Sequence, residues 1–211
     1  MKNIKPVIVL FLICLVSAIS LALVNKETSK KRSENQRKNI ETAQKEILPA
    51  EIRNNIGAII LEREYKTENL KYYKVTDKNN TVLAYIAETT EKGYGGDVKM
   101  LVSINLENKI IGVKAVAHSE TPGLGAKIEE ISESMGKKMK VKNNLVDIKK
   151  PWFCEQFKGL SSDKLLLKKD DPNGVIDAIT ASTITSRAVT KAIKKGLEKN
   201  FNTEQFSNLQ K

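Results

Sequence analysis

The chain has 211 residues, enough for one domain with appendages. It is basic, with 36 Lys and Arg against 25 Asp and Glu, but the cations are scattered and not interleaved with aromatics. The formal +11 therefore reads as a solvated surface and not as a nucleic-acid footprint. One histidine, His118, and two cysteines, Cys14 and Cys154, with no CxxC, leave iron–sulfur clusters, c-type haem and structural zinc without ligands. Redox chemistry in this chain calls for an organic cofactor.

Pro6–Val24 reads PVIVLFLICLVSAISLALV and carries no charge over roughly 19 residues, about what a helix needs to cross the hydrocarbon core. A cleaved signal peptide is the rival reading, with Lys2 and Lys5 as its basic start and Ser20-Leu21-Ala22 as a passable cleavage site. The apolar run is long for a signal peptide, which favours an uncleaved anchor over residues 1–25. Lys26, Lys30, Lys31 and Arg32 outnumber Lys2 and Lys5, and by that count alone the following domain would face the cytoplasm. Residues 26–58 are charged, with Ile40, Ala43, Ile47 and Ala50 at helical spacing, and predict an amphipathic stalk that Pro49 breaks.

Strand patterns follow. KYYKVTD and TVLAYIAET flank Lys78-Asn79-Asn80, a hairpin signal. VKMLVSINL and KIIGVKAVAH flank Glu107-Asn108, a second one; Val98, Met100, Val102 and Ile104 alternate with a mostly polar set that Leu101 spoils. Between the hairpins lies a flexible loop, Gly93-Tyr94-Gly95-Gly96. From Ala126 the pattern turns helical, with Ile128, Ile131 and Met135 on one side. Trp152 and Phe153 are candidate core anchors in the mixed stretch after it. The last strong element starts near Thr183, with Ile184, Ala188, Val189, Ala192, Ile193 and Leu197 as an apolar stripe. The sum is an α+β domain over residues 59–205, built on an antiparallel or mixed sheet with flanking helices, then a short tail over 206–211.

Two loops carry more than the fold asks for. His118-Ser119-Glu120-Thr121-Pro122-Gly123-Leu124-Gly125 joins a strand to a helical pattern. Pro122-Gly123 suits the centre of a type II turn, and Gly125 permits close approach to the backbone. An ordinary turn explains much of this; the only histidine beside Glu120 and two glycines argues for something more. The second loop is Asp177-Ala178-Ile179-Thr180-Ala181-Ser182-Thr183-Ile184-Thr185-Ser186, with five hydroxyls in seven positions. Helix capping accounts for Thr180 or Ser182, not for all five. A helix N-terminus also favours an anion, and a Thr hydroxyl there can be esterified to a phosphate.

The stretch Asp177-x-x-Thr180-Ala181-Ser182-Thr183-x-Thr185 resembles the flavinylation motif of the FMN-binding domain family, Asp-x-x-Ser/Thr-Gly-Ala-Thr-x-Ser/Thr. HSETPGLG at His118–Gly125 and GYGG at Gly93–Gly96 resemble that family's other signatures, in the same order along the chain. The family includes the G subunit of Rnf-type ion-translocating oxidoreductases, which this chain resembles most in length and anchor, and the C subunit of the sodium-pumping NADH:quinone oxidoreductase. The resemblance implies FMN linked through its phosphate to Thr183, with Ser182 a minor competitor and Asp177 helping a flavin transferase to recognise the motif. It implies that His118–Gly125 line or approach the flavin, with Glu120, Thr121 and Leu124 the leading contacts, His118, Gly123 and Gly125 also cofactor-binding, Tyr94 a weaker contact, and Thr180 and Thr185 of the motif cofactor-binding with Asp177 and Ser182. It also implies partnership with other Rnf-type membrane subunits that relay electrons between ferredoxin and NAD, and a soluble domain on the outer face of the cell membrane, against the Lys/Arg count. No nucleic acid is expected as a partner. One uncharged helix is no ion path, so pumping belongs to the partners. The chain departs from the family where Ala181-Ser182 replaces Gly-Ala; Ala181 restricts φ at the glycine position and bears on how efficiently flavin is attached. A membrane-anchored assembly module without flavin, and an FMN-domain protein of another respiratory system, are the alternative readings.

Overall fold

A computed structural model describes residues 4–131 and 151–200. The chain divides into two compact units, Met1–Thr42 and Ala43–Lys211. The first is helical, within α1 (Ile4–Glu46). Its large apolar side chains, Leu10, Phe11, Val16, Leu21 and Val24 among them, are exposed at 62–71%. With no core to enter, they mark a helix whose length and composition suit a membrane.

The second unit is built on a five-stranded sheet of order β1-β2-β3-β4-β5. The strands are β1 (Ile56–Tyr65), β2 (Leu70–Asp77), β3 (Val82–Lys92), β4 (Asp97–Ile104) and β5 (Ile110–Ala117). Every neighbouring pair is antiparallel, so the sheet is a meander and not mixed. Both expected hairpins form. The β2–β3 turn closes where the Asp77 carboxylate accepts the Asn79 and Thr81 N–H groups, and Asn80 takes φ 62°. The β4–β5 turn repeats the device: Asn105 Oδ1 accepts from Glu107 and Lys109, and Asn108 takes φ 59°. Asn tolerates the left-handed region better than most residues, which is why these turns hold it.

β1 is not foreseen by the sequence pattern. It starts inside the stretch assigned to the stalk, ten residues after α1 ends, with Pro49 leading into the short α2 (Ala50–Asn55). Only partial burial marks β1, because it is an edge strand and its alternation is poor.

Of the remaining helices, α3 (Trp152–Glu155) is a single turn, and α4 (Thr183–Asn200) lies across β3 and β4. Val189, Ala192, Ile193 and Leu197 are fully buried in one cluster with Leu70, Ala87, Met100, Val102 and Ile104. Ile184, expected in this stripe, is instead 51% exposed, where the first turn of α4 lines a cleft. Leu101 and Ser103 are buried as well, so β4 is covered on both faces. At the second face Ser103 Oγ donates to the Ile47 carbonyl at 2.9 Å, and Ala43, Ile47 and Leu48 are buried. The helix expected from Ala126 is a 3-10 turn over Gly125–Glu129, ending where Ile131 bridges to Pro151. Ile128 is buried as expected; Ile131 is exposed at 47%, and Met135 lies outside the described residues. Phe153 and Phe157 stack edge-to-face at 5.5 Å and close the core's end, with Trp152 packed alongside at 5.6 Å from Phe153.

Candidate functional site

Three loops meet at one point on the domain. The link is the Glu120 carboxylate, which is almost fully buried. Its Oε1 accepts the N–H groups of Tyr94 at 2.8 Å and Gly95 at 3.2 Å. Its Oε2 accepts the Thr185 hydroxyl at 2.6 Å. One side chain thus ties the β3–β4 loop, its own loop and the first turn of α4. A buried carboxylate is tolerable only when its oxygens are bonded, and these bonds satisfy both.

The glycines around it are there for room. A Cβ on Gly93 would lie 2.1 Å from Glu120 Oε1. One on Gly125 would lie 2.4 Å from Glu120 Oε2 and 2.7 Å from Thr185 Oγ1. The loop between is the expected type II turn: Leu124 N–H donates to the Thr121 carbonyl at 3.1 Å, and Gly123 takes φ 75°.

The five hydroxyls of the second loop divide the work. Ser186 Oγ accepts the Ile179 N–H at 2.9 Å and donates to the Ser182 carbonyl at 3.0 Å, stitching the turn to α4. Thr185 completes the Glu120 clasp. Thr180 is exposed at the turn. Ser182 precedes the helix but does not cap it: its Oγ is buried with no hydrogen-bond partner, against the capping expectation. Thr183, the first residue of α4, is half-buried, and its Oγ1 accepts from Lys169 Nζ at 3.1 Å. The turn itself holds Ala181 at φ 61°, with Ser182 N–H bonded to the Ile179 carbonyl at 3.0 Å. That is a glycine position in backbone geometry, occupied here by alanine.

A cleft of about 420 Å³ opens between these loops, lined by Tyr94, Glu120, Thr121, Leu124, Gly125 and residues 181–185. Its rim is apolar and unburied: Tyr94 is 73% exposed, Leu124 43% and Ile184 51%. Apolar side chains left out of the core around a concave site are what a flat, largely apolar ligand needs. The lining also takes in the N-terminus of α4 and Ser182, whose hydroxyl is unpartnered, and the Lys169 ammonium bonds to Thr183 there, a setting for an anion. A ligand with an aromatic ring at one end and a phosphate at the other fits this pairing of surfaces.

Of the residues read from sequence, the cleft collects Tyr94, Glu120, Thr121, Leu124, Gly125, Ser182, Thr183 and Thr185. His118, Gly123, Asp177 and Thr180 do not line it. His118 accepts the Glu120 N–H at Nδ1 and stands 3.6 Å from Glu129, so it orders its own loop. Asp177 is exposed, paired with Lys168 at 2.8 Å, and its backbone exchanges bonds with the Gln156 side chain. Two residues of the site, Lys169 and Ile184, give no sign of it in the sequence. Lys169 sits in a Lys-rich stretch where nothing local singles it out, and Ile184 fits the helical stripe too well to be read otherwise.

The family model described as "FMN-binding domain" matches residues 93–198, from the first glycine of the clasp into α4. Curated relatives extend the likeness over most of the chain. The G subunit of the proton-translocating ferredoxin:NAD(+) oxidoreductase complex of Clostridium ljungdahlii is 31% identical over 88% of this chain and 84% of its own length. The G subunit of the ion-translocating oxidoreductase complex of Shewanella amazonensis is 30% identical over 87% and 81%. The G subunit of the Na(+)-translocating ferredoxin:NAD(+) oxidoreductase complex of Acetobacterium woodii is 29% identical over 97% and 91%. The cleft, the loops that build it and this likeness agree: the chain belongs to the FMN-binding domain family.

Proposed function

We propose that this chain is the membrane-anchored electron-transfer subunit of an Rnf-type ion-translocating oxidoreductase, carrying FMN esterified through its phosphate to Thr183. The observation that carries the reading is the cleft itself, which gathers three separate motif segments around Thr183. Relatives named as the G subunits of ferredoxin:NAD(+) oxidoreductase complexes supply the class of reaction and the partner subunits.

The choice of Thr183 over Ser182 rests on access. Thr183 is half-buried at the cleft, whereas the Ser182 oxygen is shut away from solvent. When bound, FMN supplies reversible one- and two-electron transfer, which no side chain here supplies. The chain's own residues hold and shield it: Leu124, Ile184 and Tyr94 offer apolar walls, Glu120 keeps the three loops in register, and Thr183 bears the ester oxygen. Asp177, held by Lys168 on the exposed side of the motif, is available to a flavin transferase. Covalent attachment keeps the flavin on a domain standing at a membrane surface.

The domain lies on the outer face of the cell membrane in this reading. Labelling an engineered Asn79→Cys in intact cells with an impermeant thiol reagent tests it, since Cys154 is buried and Cys14 lies in the apolar helix. Labelling without lysis means outside; labelling only after lysis contradicts it. The functional test is ferredoxin-dependent NAD reduction by membranes carrying Thr183→Val in place of the wild-type chain. The proposal expects the activity to be lost. Full activity refutes it.

A further inference from the structure

We propose that Lys169, assisted by Ser182, forms a clamp for the phosphodiester on Thr183. The inference rests on the covalent reading above and deepens it. Three cations surround the start of α4. Lys168 is held by Asp177 at 2.8 Å, and Arg187 is held by both Asp170 oxygens at 2.8 and 2.6 Å. Lys169 instead donates to the uncharged Thr183 hydroxyl at 3.1 Å. An anionic acceptor adds the attraction between opposite charges to the bond that the ammonium already makes to a neutral oxygen. Esterification makes that oxygen the bridging oxygen of a phosphodiester, whose single negative charge lies on the non-bridging oxygens one bond further out, beside Lys169 as it already stands.

Ser182 is the independent observation. Its side chain is 93% buried and lines the cleft next to Thr183, yet its hydroxyl has no partner. A buried hydroxyl left unbonded costs stability, so an acceptor arriving beside it is favoured. Ser182 directly precedes Thr183 in the chain, and the N–H groups opening α4 add their partial positive charge.

The test uses the full chain in detergent with a purified flavin transferase and a flavin dinucleotide, whose phosphoanhydride bond breaks as the Thr183 ester forms, with the nucleoside monophosphate leaving and the hydroxyl proton going to solvent. Wild type, Lys169→Gln, Lys169→Arg, Ser182→Ala and Thr183→Val are compared for rate of flavin incorporation and for fluorescence anisotropy of the attached flavin. Lys169 is exposed, so its loss leaves the melting temperature unchanged and slows incorporation by up to about fivefold. The clamp also requires lower anisotropy in Lys169→Gln, as the freed flavin wobbles, with Lys169→Arg restoring the wild-type value and Ser182→Ala falling between. Unchanged anisotropy in Lys169→Gln overturns the clamp, even if incorporation slows, because that pattern marks a docking contact for the transferase. Failure of Lys169→Arg to restore it overturns a role for the charge. A wild-type chain that takes up no flavin sinks the covalent reading and the clamp together, whereas a fluorescent wild type beside an unchanged Lys169→Gln sinks the clamp alone.

Discussion

Ala181 stands at φ 61°, and replacing it with glycine should stabilise the domain. An L-residue in the left-handed region loses about 1–2 kcal/mol to the clash of Cβ with the following carbonyl. Glycine removes that cost but has more freedom to lose on folding, which takes back about 0.4–1 kcal/mol. The Ala181 side chain is exposed, so no packing is sacrificed. Taking the middle of both ranges, the net gain for Ala181→Gly is about 0.8 kcal/mol. For a folding unit of this size that raises the melting temperature by about 1–4 °C. Thermal unfolding of the full chain in detergent, followed by the fluorescence of its single tryptophan, Trp152, reads the change. Ala181→Val, β-branched and worse suited to this region, should move the midpoint the other way. A midpoint for Ala181→Gly at or below wild type would refute the reasoning, and with it the assignment of this turn as a glycine position.

Glu120→Ala strands the Tyr94 and Gly95 N–H groups and the Thr185 hydroxyl, and should lower stability by about 2–3 kcal/mol by chemical denaturation. Glu120→Gln keeps an oxygen for the two N–H groups and an amide donor for Thr185, so it should lose less than half as much. Gly125→Ala forces a methyl against Glu120 and Thr185, and should cost about 1–3 kcal/mol in the same assay. Burial opposes ionisation of Glu91, but hydrogen bonds from Lys195 and Lys191 outweigh it and hold its carboxyl below the ordinary 4.5. A depressed folded-state value stabilises above pH 4.5 and is lost as pH falls through and below it. Lys195→Met with Lys191→Met should therefore flatten the loss of stability on acidification; an unchanged acid slope would count against the pairing.

The meander and its last helix are legible in the sequence because local chemistry and periodicity agree there. Asn80 and Asn108 mark turns needing positive φ, and the Val189–Leu197 stripe follows the helical period. β1 escapes because its own sequence, with burial scattered along it, lacks a clean alternation. The 3-10 turn at Gly125–Glu129 reads as a longer helix because Ile128 and Ile131 fit both. At the site, motif residues far apart in sequence are legible as chemistry but not as contacts. That Glu120 joins three loops is a tertiary fact, with bonds spanning 25 to 65 positions. Ile184 looks like core in any helical projection, yet it is exposed where the first turn of α4 lines the cleft.

The central claim is a covalent bond between Thr183 and flavin phosphate. Wild type and Thr183→Val, each made alongside a flavin transferase, should be run on a denaturing gel under ultraviolet light and weighed intact. The account predicts a fluorescent wild-type band heavier by one FMN and a dark Thr183→Val band of unmodified mass. A dark wild type, or a Thr183→Val chain that still carries the flavin, would contradict it.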